Sequence, residues 1–269
     1  MAYASALTSA AKTGAPPWRW AFAGAVTGLL LTLVLAAPAR WLAALVEQAG
    51  NGHVQLAAPR GTVWQGSAQL MLSGGAGSRD AVALPGHVEW RIRPVWGGLA
   101  VRLGATCCTA EPLRLQILPV GWGGVQLSLA DGQSSWPAGL LAGLGTPWNT
   151  VQAQGQLVAD TRGLAGHWAN GQLRLTGNLQ LDARQISSRL STLQPMGSYR
   201  LVLQGGEPAG VTLTTLDGSL QLAGQGQWSA QGLRFDGTAS AAPGSVDALS
   251  NLLNILGRRN GASSIIKVG

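Results

Sequence analysis

Two cysteines, three histidines, eleven carboxylates and eleven tryptophans are the side chains from which this chain of 269 residues would have to build any chemistry. The cysteines, Cys107 and Cys108, are neighbours. In a regular strand neighbours point to opposite faces, so these two cannot bond without a distorted peptide. Two separate thiols are the favoured reading, and a strained vicinal disulfide in an oxidising compartment is the alternative. Neither cysteine stands at zinc-ligand spacing from a histidine. His53, His87 and His167 are scattered, and no two carboxylates are close in sequence. There is no phosphate-cradling loop followed by lysine, no G-x-G-x-x-G, no G-x-S-x-G elbow and no H-E-x-x-H pair. The expectation is a protein with no catalytic residues, no metal and no cofactor.

Indole rings offer one further chemistry, stacking on sugars. Trp18, Trp20 and Trp41 flank an apolar segment instead. Trp64, Trp90, Trp168 and Trp228 fall in strand-like contexts and are expected to fill the core. Trp96, Trp122, Trp136 and Trp148 sit beside glycine or proline in connectors, where partial exposure is expected.

The elements that would carry these residues begin with twenty uncharged residues between Arg19 and Arg40. Trp20, Phe22, Leu29, Leu30, Leu31, Leu33, Val34 and Leu35 are the large apolar side chains of this run. As a helix it would rise about 30 Å, the thickness of a bilayer's hydrocarbon core. Pro38 marks the expected helix end. Residues 1–19 form a basic leader with Lys12, Arg19 and no acid, which the positive-inside rule leaves in the cytoplasm. An anchor over 20–40 then delivers residues 41–269 to the far side. Ala37-Pro38-Ala39 has the small residues of a signal-peptidase site, so a cleaved signal is the alternative. The long leader, the proline within the site and the length of the apolar run favour retention.

Beyond a juxtamembrane helical stretch over Leu42–Gln48, the sequence changes character. Charged residues are 11%, under half the usual ~25%, and glycine is abundant with 39 residues. That composition fits strands and turns better than helices with Glu/Lys surfaces. Alternation is clearest over Gln172–Asp182, where Leu173, Leu175, Leu179 and Leu181 share one face. Gly177 interrupts that face, predicting a bend or bulge. Shorter runs repeat the pattern, among them Ala68-Leu70-Leu72, Val88-Trp90-Ile92, Leu113-Leu115-Ile117, Val125-Leu127-Leu129, Tyr199-Leu201-Leu203, Val211-Leu213, Leu220-Leu222 and Leu233-Phe235. The fold expected is mainly β: a single transmembrane helix followed by an elongated, curved antiparallel sheet with one or two short helices, arranged as one body or as two sub-sheets over 53–130 and 150–240. Ile186–Leu193 is expected to form a short helix. A stronger one spans 245–256, with Leu249, Leu252, Leu253 and Leu256 on one stripe and Arg258 and Arg259 beyond its end. It either packs on the sheet or docks a partner through those residues.

Net charge is +7. Setting aside Lys12, Arg19 and Arg40 leaves 15 of the 18 basic residues against 11 acidic ones. These charges are dispersed singly between apolar residues, without the clustered patch a nucleic-acid partner requires.

Several stretches resemble the type II secretion system protein N family: Gly61-Thr62-Val63-Trp64-Gln65-Gly66 near the start of the domain, Pro195-Met196-Gly197-Ser198-Tyr199-Arg200 at its centre, and Gly224-Gln225-Gly226-Gln227-Trp228 and Leu249-Ser250-Asn251-Leu252-Leu253 late in the chain. The Cys107-Cys108 pair is also similar to that of family members. The resemblance implies an accessory, non-catalytic inner-membrane component of the machinery that exports folded proteins across the outer membrane. It further implies other inner-membrane components of that machinery as partners, and a periplasmic location for the bulk of the chain. A competing expectation is an AsmA-like or lipopolysaccharide-bridge-like envelope protein whose apolar sheet face takes a lipid ligand.

Overall fold

The computed structural model describes residues 18–169, 171–229 and 232–269. Most of the basic leader, including Lys12, lies outside the described residues. Two units are distinct: the chain up to Ala37, and Pro38–Gly269. The first contains helix α1 (Trp18–Leu35), whose 18 residues have no buried side chain. The second opens with α2 (Ala39–Ala49), an amphipathic helix started by Pro38, whose fixed φ suits a helix entry. Pro38 therefore begins the second helix, and the first ends three residues earlier than it.

Strands follow in chain order: β1 (Val54–Gly61), β2 (Gln65–Ser73), β3 (Ala81–Ala83), β4 (Val88–Val95), β5 (Gly98–Ala105), β6 (Leu113–Val120), β7 (Gly124–Leu129) and β8 (Gly132–Pro137). A 3-10 segment over Ala138–Leu144 and the one-turn helix α3 (Trp148–Val151) lead into β9 (Gln154–Ala169) and β10 (Gln172–Ser187). Then come β11 (Gly197–Gly206), β12 (Ala209–Gly218), β13 (Leu220–Ser229), β14 (Gly232–Ala241), α4 (Val246–Leu256), β15 (Arg258–Asn260) and β16 (Ser263–Val268). All join one antiparallel sheet of 16 strands in nearly sequential order, with β3 on β2 and β8 on β9 as side branches. The strongest expectation from the sequence, a mainly β antiparallel sheet behind an apolar helix, is what forms.

Two sub-sheets do not form. β9 is 16 residues long, enough for β8 to pair along its first half and β7 along its second. That shared strand fuses the halves. Gly177 lies at the expected bulge: its φ is +79° and the register of β10 shifts there against both neighbours. The expected helix over Ile186–Leu193 is absent. Ile186 is in β10 opposite Gly197. The serines that follow cap local amides instead, Ser188 Oγ accepting from Leu190 N and Ser191 Oγ from Leu193 N. Such local bonds compete with helix formation.

The largest core lies under α4, where Leu249, Leu252 and Leu253 bury against Ile186, Met196, Tyr199 and Leu220. Smaller cores gather around Leu84 and Cys108, and around Trp90 beneath α2. Because neighbouring strands run antiparallel, connections alternate between two ends of the sheet. One end holds the turns at 62–64, 96–97 and 121–123 and the links from β9 to β10, β11 to β12 and β13 to β14. The other holds the longer connections, including 106–112, α3, 188–196 and α4.

Candidate functional site

All eight apolar side chains expected in lipid lie on α1. Trp20 and Leu29 are 82% and 63% exposed, and Phe22, Leu30, Leu31, Leu33, Val34 and Leu35 are exposed with them. By length and composition α1 can cross a membrane. Three residues beyond Leu35, Pro38 pairs with Thr62 in an isolated antiparallel bridge. Pro38, the first residue of the second unit, is thereby tied to the β1–β2 turn, at the first sheet end. That turn is itself held by Trp90, whose Nε1 donates to Thr62 O and Val63 O at 3.2 and 3.1 Å.

α2 lays one face on the sheet. Leu42 packs with Ala39, Ala68, Trp90 and Leu56. Leu42 and Val46 close a cavity of about 350 Å³ whose other walls include Leu56, Trp90, Val101 and Leu103. The opposite face leaves Trp41 and Leu45 exposed.

Across the sheet from this apolar face the register stacks arginines. Gln65 is opposite Arg91, Arg91 opposite Arg102, and Arg102 opposite Arg114. Arg60, Arg91, Arg102 and Glu89 line a groove of about 510 Å³ there. None of Arg60, Arg91, Arg93, Arg102 or Arg114 joins an ion pair among the described residues. Like charges directly opposite one another destabilise a sheet. Read along the sequence these arginines are isolated. The signal that could have gathered them is their shared position, each between two apolar residues of a strand.

The tryptophans divide differently from the expectation. Trp90 is buried, as expected, at 3% exposure. Trp96 and Trp122 are fully exposed, and Trp168 and Trp228 are half exposed, not core. The last two sit at the final turns of their strands, Trp168 opposite Leu173 and Trp228 opposite Leu233.

A family model for type II secretion system (T2SS) protein N matches residues 52–265. The chain belongs to this family. The matched span begins two residues before β1 and ends in β16, so it is the sheet that carries the protein N signature, and α1 lies ahead of it. No curated protein and no solved structure matches the chain.

The remaining expected site residues of this protein N domain are accounted for by its packing. Cys107 and Cys108 are bonded to each other, against the favoured reading of two separate thiols. The reason is local: residues 106–108 form a turn after β5, not a strand, so the side chains need not diverge. Cys108 is buried with Leu84, Ala105 and Leu140, and Cys107 is exposed. In α4, Leu249, Leu252 and Leu253 are turned into the sheet with Leu256 packed beside them, so the leucine stripe is not free to dock a partner. Arg258 and Arg259 have left the helix for β15 and are exposed. Arg259 returns to α4, donating to Ser250 O and Asn254 Oδ1.

Polar groups in the sheet are engaged structurally. Asp182 is buried on β10 and receives Arg200 Nε and Nη2 from β11 at 2.7 and 2.9 Å. The Arg200 hydrogen bonds hold its carboxyl below the usual range, outweighing burial, which acts the other way. Burial pushes the Tyr199 phenol well up; its hydroxyl has no hydrogen-bond partner among the described residues. His53 Nδ1 bonds Ser73 O at 3.1 Å. Among the described residues no three of His, Cys, Asp and Glu gather as a metal site would require.

Proposed function

We propose that this member of the protein N family is an accessory, non-catalytic component of the inner-membrane platform of the type II secretion machinery. In this reading α1 is a retained anchor, its N-terminus is cytoplasmic, and the sheet is periplasmic and engages other inner-membrane components. The observation that carries the proposal is the family match over residues 52–265, nearly all of the sheet, in a chain whose earlier helix is apolar and long enough to span a bilayer. Arg19 before the apolar run and the absence of acid in the leader support the orientation. The Cys107–Cys108 bond is in keeping with an oxidising compartment. The buried carboxylate of the sheet, Asp182, braces neighbouring strands through Arg200. The match lends no support to the lipid-handling alternative.

Deletion of the chain tests the proposal. Secreted hydrolases should accumulate, folded, in the periplasm, and export should return with the full chain supplied in trans. A reporter fused after Gly269 should be active only in the periplasm. Unimpaired export together with no co-purifying platform component would overturn the assignment.

A further inference from the structure

We propose that the first end of the sheet is seated in the headgroup region of the bilayer, with the hairpin tips bearing Trp96 and Trp122 and the strand end bearing Trp168 as its contacts. This rests on the reading of α1 as a membrane anchor.

Three observations converge. The first is the distribution of tryptophan. Trp96 occupies the two-residue turn between Val95 and Gly98, and Trp122 the three-residue turn between Val120 and Gly124. Trp168 is directly opposite Val125, the second residue past that second turn. β5 pairs with β6 and β7 with β9, so these are successive tips along one end. Trp228, opposite Ala209, continues the row. Trp96 and Trp122 project fully into the surroundings at 103% and 106% exposure. Solvent-exposed turns ordinarily carry small polar residues, and an indole there gains nothing from water. Membrane interfaces, by contrast, are where amphipathic indoles concentrate.

The second is position. Pro38 is bridged to Thr62 at this same end, and Pro38 is the third residue after Leu35. Three residues reach at most about 10 Å. Ile92 N donates to Trp64 O beside that bridge, and Trp96, in the turn that follows β4, lies four residues farther on. Four strand residues span roughly 13 Å. The chain itself therefore holds the last residue of α1 within about 10 Å of the bridge, a distance comparable to that of the Trp96 tip from it. A bilayer that holds α1 is within reach of that tip.

The third is charge. Arg93 lies on β4 three residues from Trp96, and farther along the strands Arg60, Arg91 and Arg102 line a groove with Glu89, none of these arginines in an ion pair among the described residues. Unpaired arginines facing one another are tolerated best where phosphate groups neutralise them. An apolar tip flanked by arginine fits a phospholipid surface, with indole in the interface and guanidinium at the phosphates.

Spin labels on the full chain in phospholipid vesicles test this. Trp96→Cys and Trp122→Cys place labels on the tips, and Thr192→Cys places one on an exposed turn at the opposite end. Flotation comes first: if the chain fails to float with vesicles, the anchor reading has failed, and the seating that rests on it falls too. If it floats, the labels at 96 and 122 should collide several-fold less with a water-soluble nickel chelate than the label at 192, and more with oxygen. Equal nickel access at all three positions in a floating chain overturns the seating alone. So does protection at 96 and 122 that is found in native membranes but is lost in pure lipid, because a protein partner would then cover the edge.

Discussion

Replacing Leu253 by alanine separates a core helix from a docking helix. Leu253 is fully buried, with Leu249 and Leu252 beside it, against Leu220, Ala239 and the packed rim of Leu256 and Ile266. Leucine-to-alanine changes at fully buried sites cost about 3–5 kcal/mol, the transfer of the lost methyls plus the cavity left behind. Ser264 Oγ donates to the Leu253 carbonyl, a backbone group the change leaves in place, so the helix stays tied to β16, the loss is that of the side chain alone, and a value of about 3–4 kcal/mol is expected. For a chain of this size each kcal/mol moves the thermal midpoint by about 2–4 °C, which gives a fall of roughly 10 °C. Ile255, 37% exposed on the outer side of the same helix, should cost under about 1 kcal/mol on truncation to alanine. Near-ultraviolet circular dichroism of the full chain in detergent, followed through thermal unfolding, reads both. A Leu253→Ala midpoint within about 2 °C of the parent, or an Ile255→Ala effect exceeding it, would refute the packing of α4 as a core element.

Gly177→Ala should destabilise by at least about 2 kcal/mol in the same melt, because the site has φ of +79° and an added Cβ would meet the backbone of Arg162 and Gly163. Tyr199→Phe should hold or raise stability, by up to about 1 kcal/mol, since it deletes a buried hydroxyl that has no hydrogen-bond partner among the described residues; a clear loss would indicate a bonded phenol. Asp182 has a carboxyl whose ionisation is favoured by folding, so its contribution is present above its unfolded pKa, about 3.9, and fades as pH falls through the lower folded value. Denaturant midpoints should therefore drop on acidification below about pH 4, and Asp182→Asn, already lower at neutral pH, should show a shallower acid dependence.

What could be read without coordinates was what depends on neighbours along the chain. Apolar residues at every second position specify one wet and one dry face whatever the partner strand, so β2, β4, β6, β7, β10 and the strands from β11 to β14 were legible. Gly177 was legible as a bulge because a glycine on the dry face of an otherwise regular run leaves a gap there. β5 and β9 were not singled out. β5 offers only Leu99, Val101 and Leu103 among small residues, and β9 sets Asp160, Arg162 and the positive-φ Gly163 in mid-strand. Ile186–Leu193 carried a helical pattern that its serines defeated by bonding their own backbone.

The sequence alone determined the class of fold, the apolar helix ahead of it and the family, because alternation, composition and motif order are properties of the chain itself. Only the tertiary structure decided which strand pairs with which. Register placed Arg91, Arg102 and Arg114 in one row and brought the tips of Trp96 and Trp122 to the end where Pro38 bridges Thr62. The same folding buried the α4 leucines and turned the Cys107 peptide so that neighbouring thiols could meet. Each of these outcomes depends on contacts between segments far apart in the chain, selected by covering the largest apolar surface, and no local pattern encodes that choice.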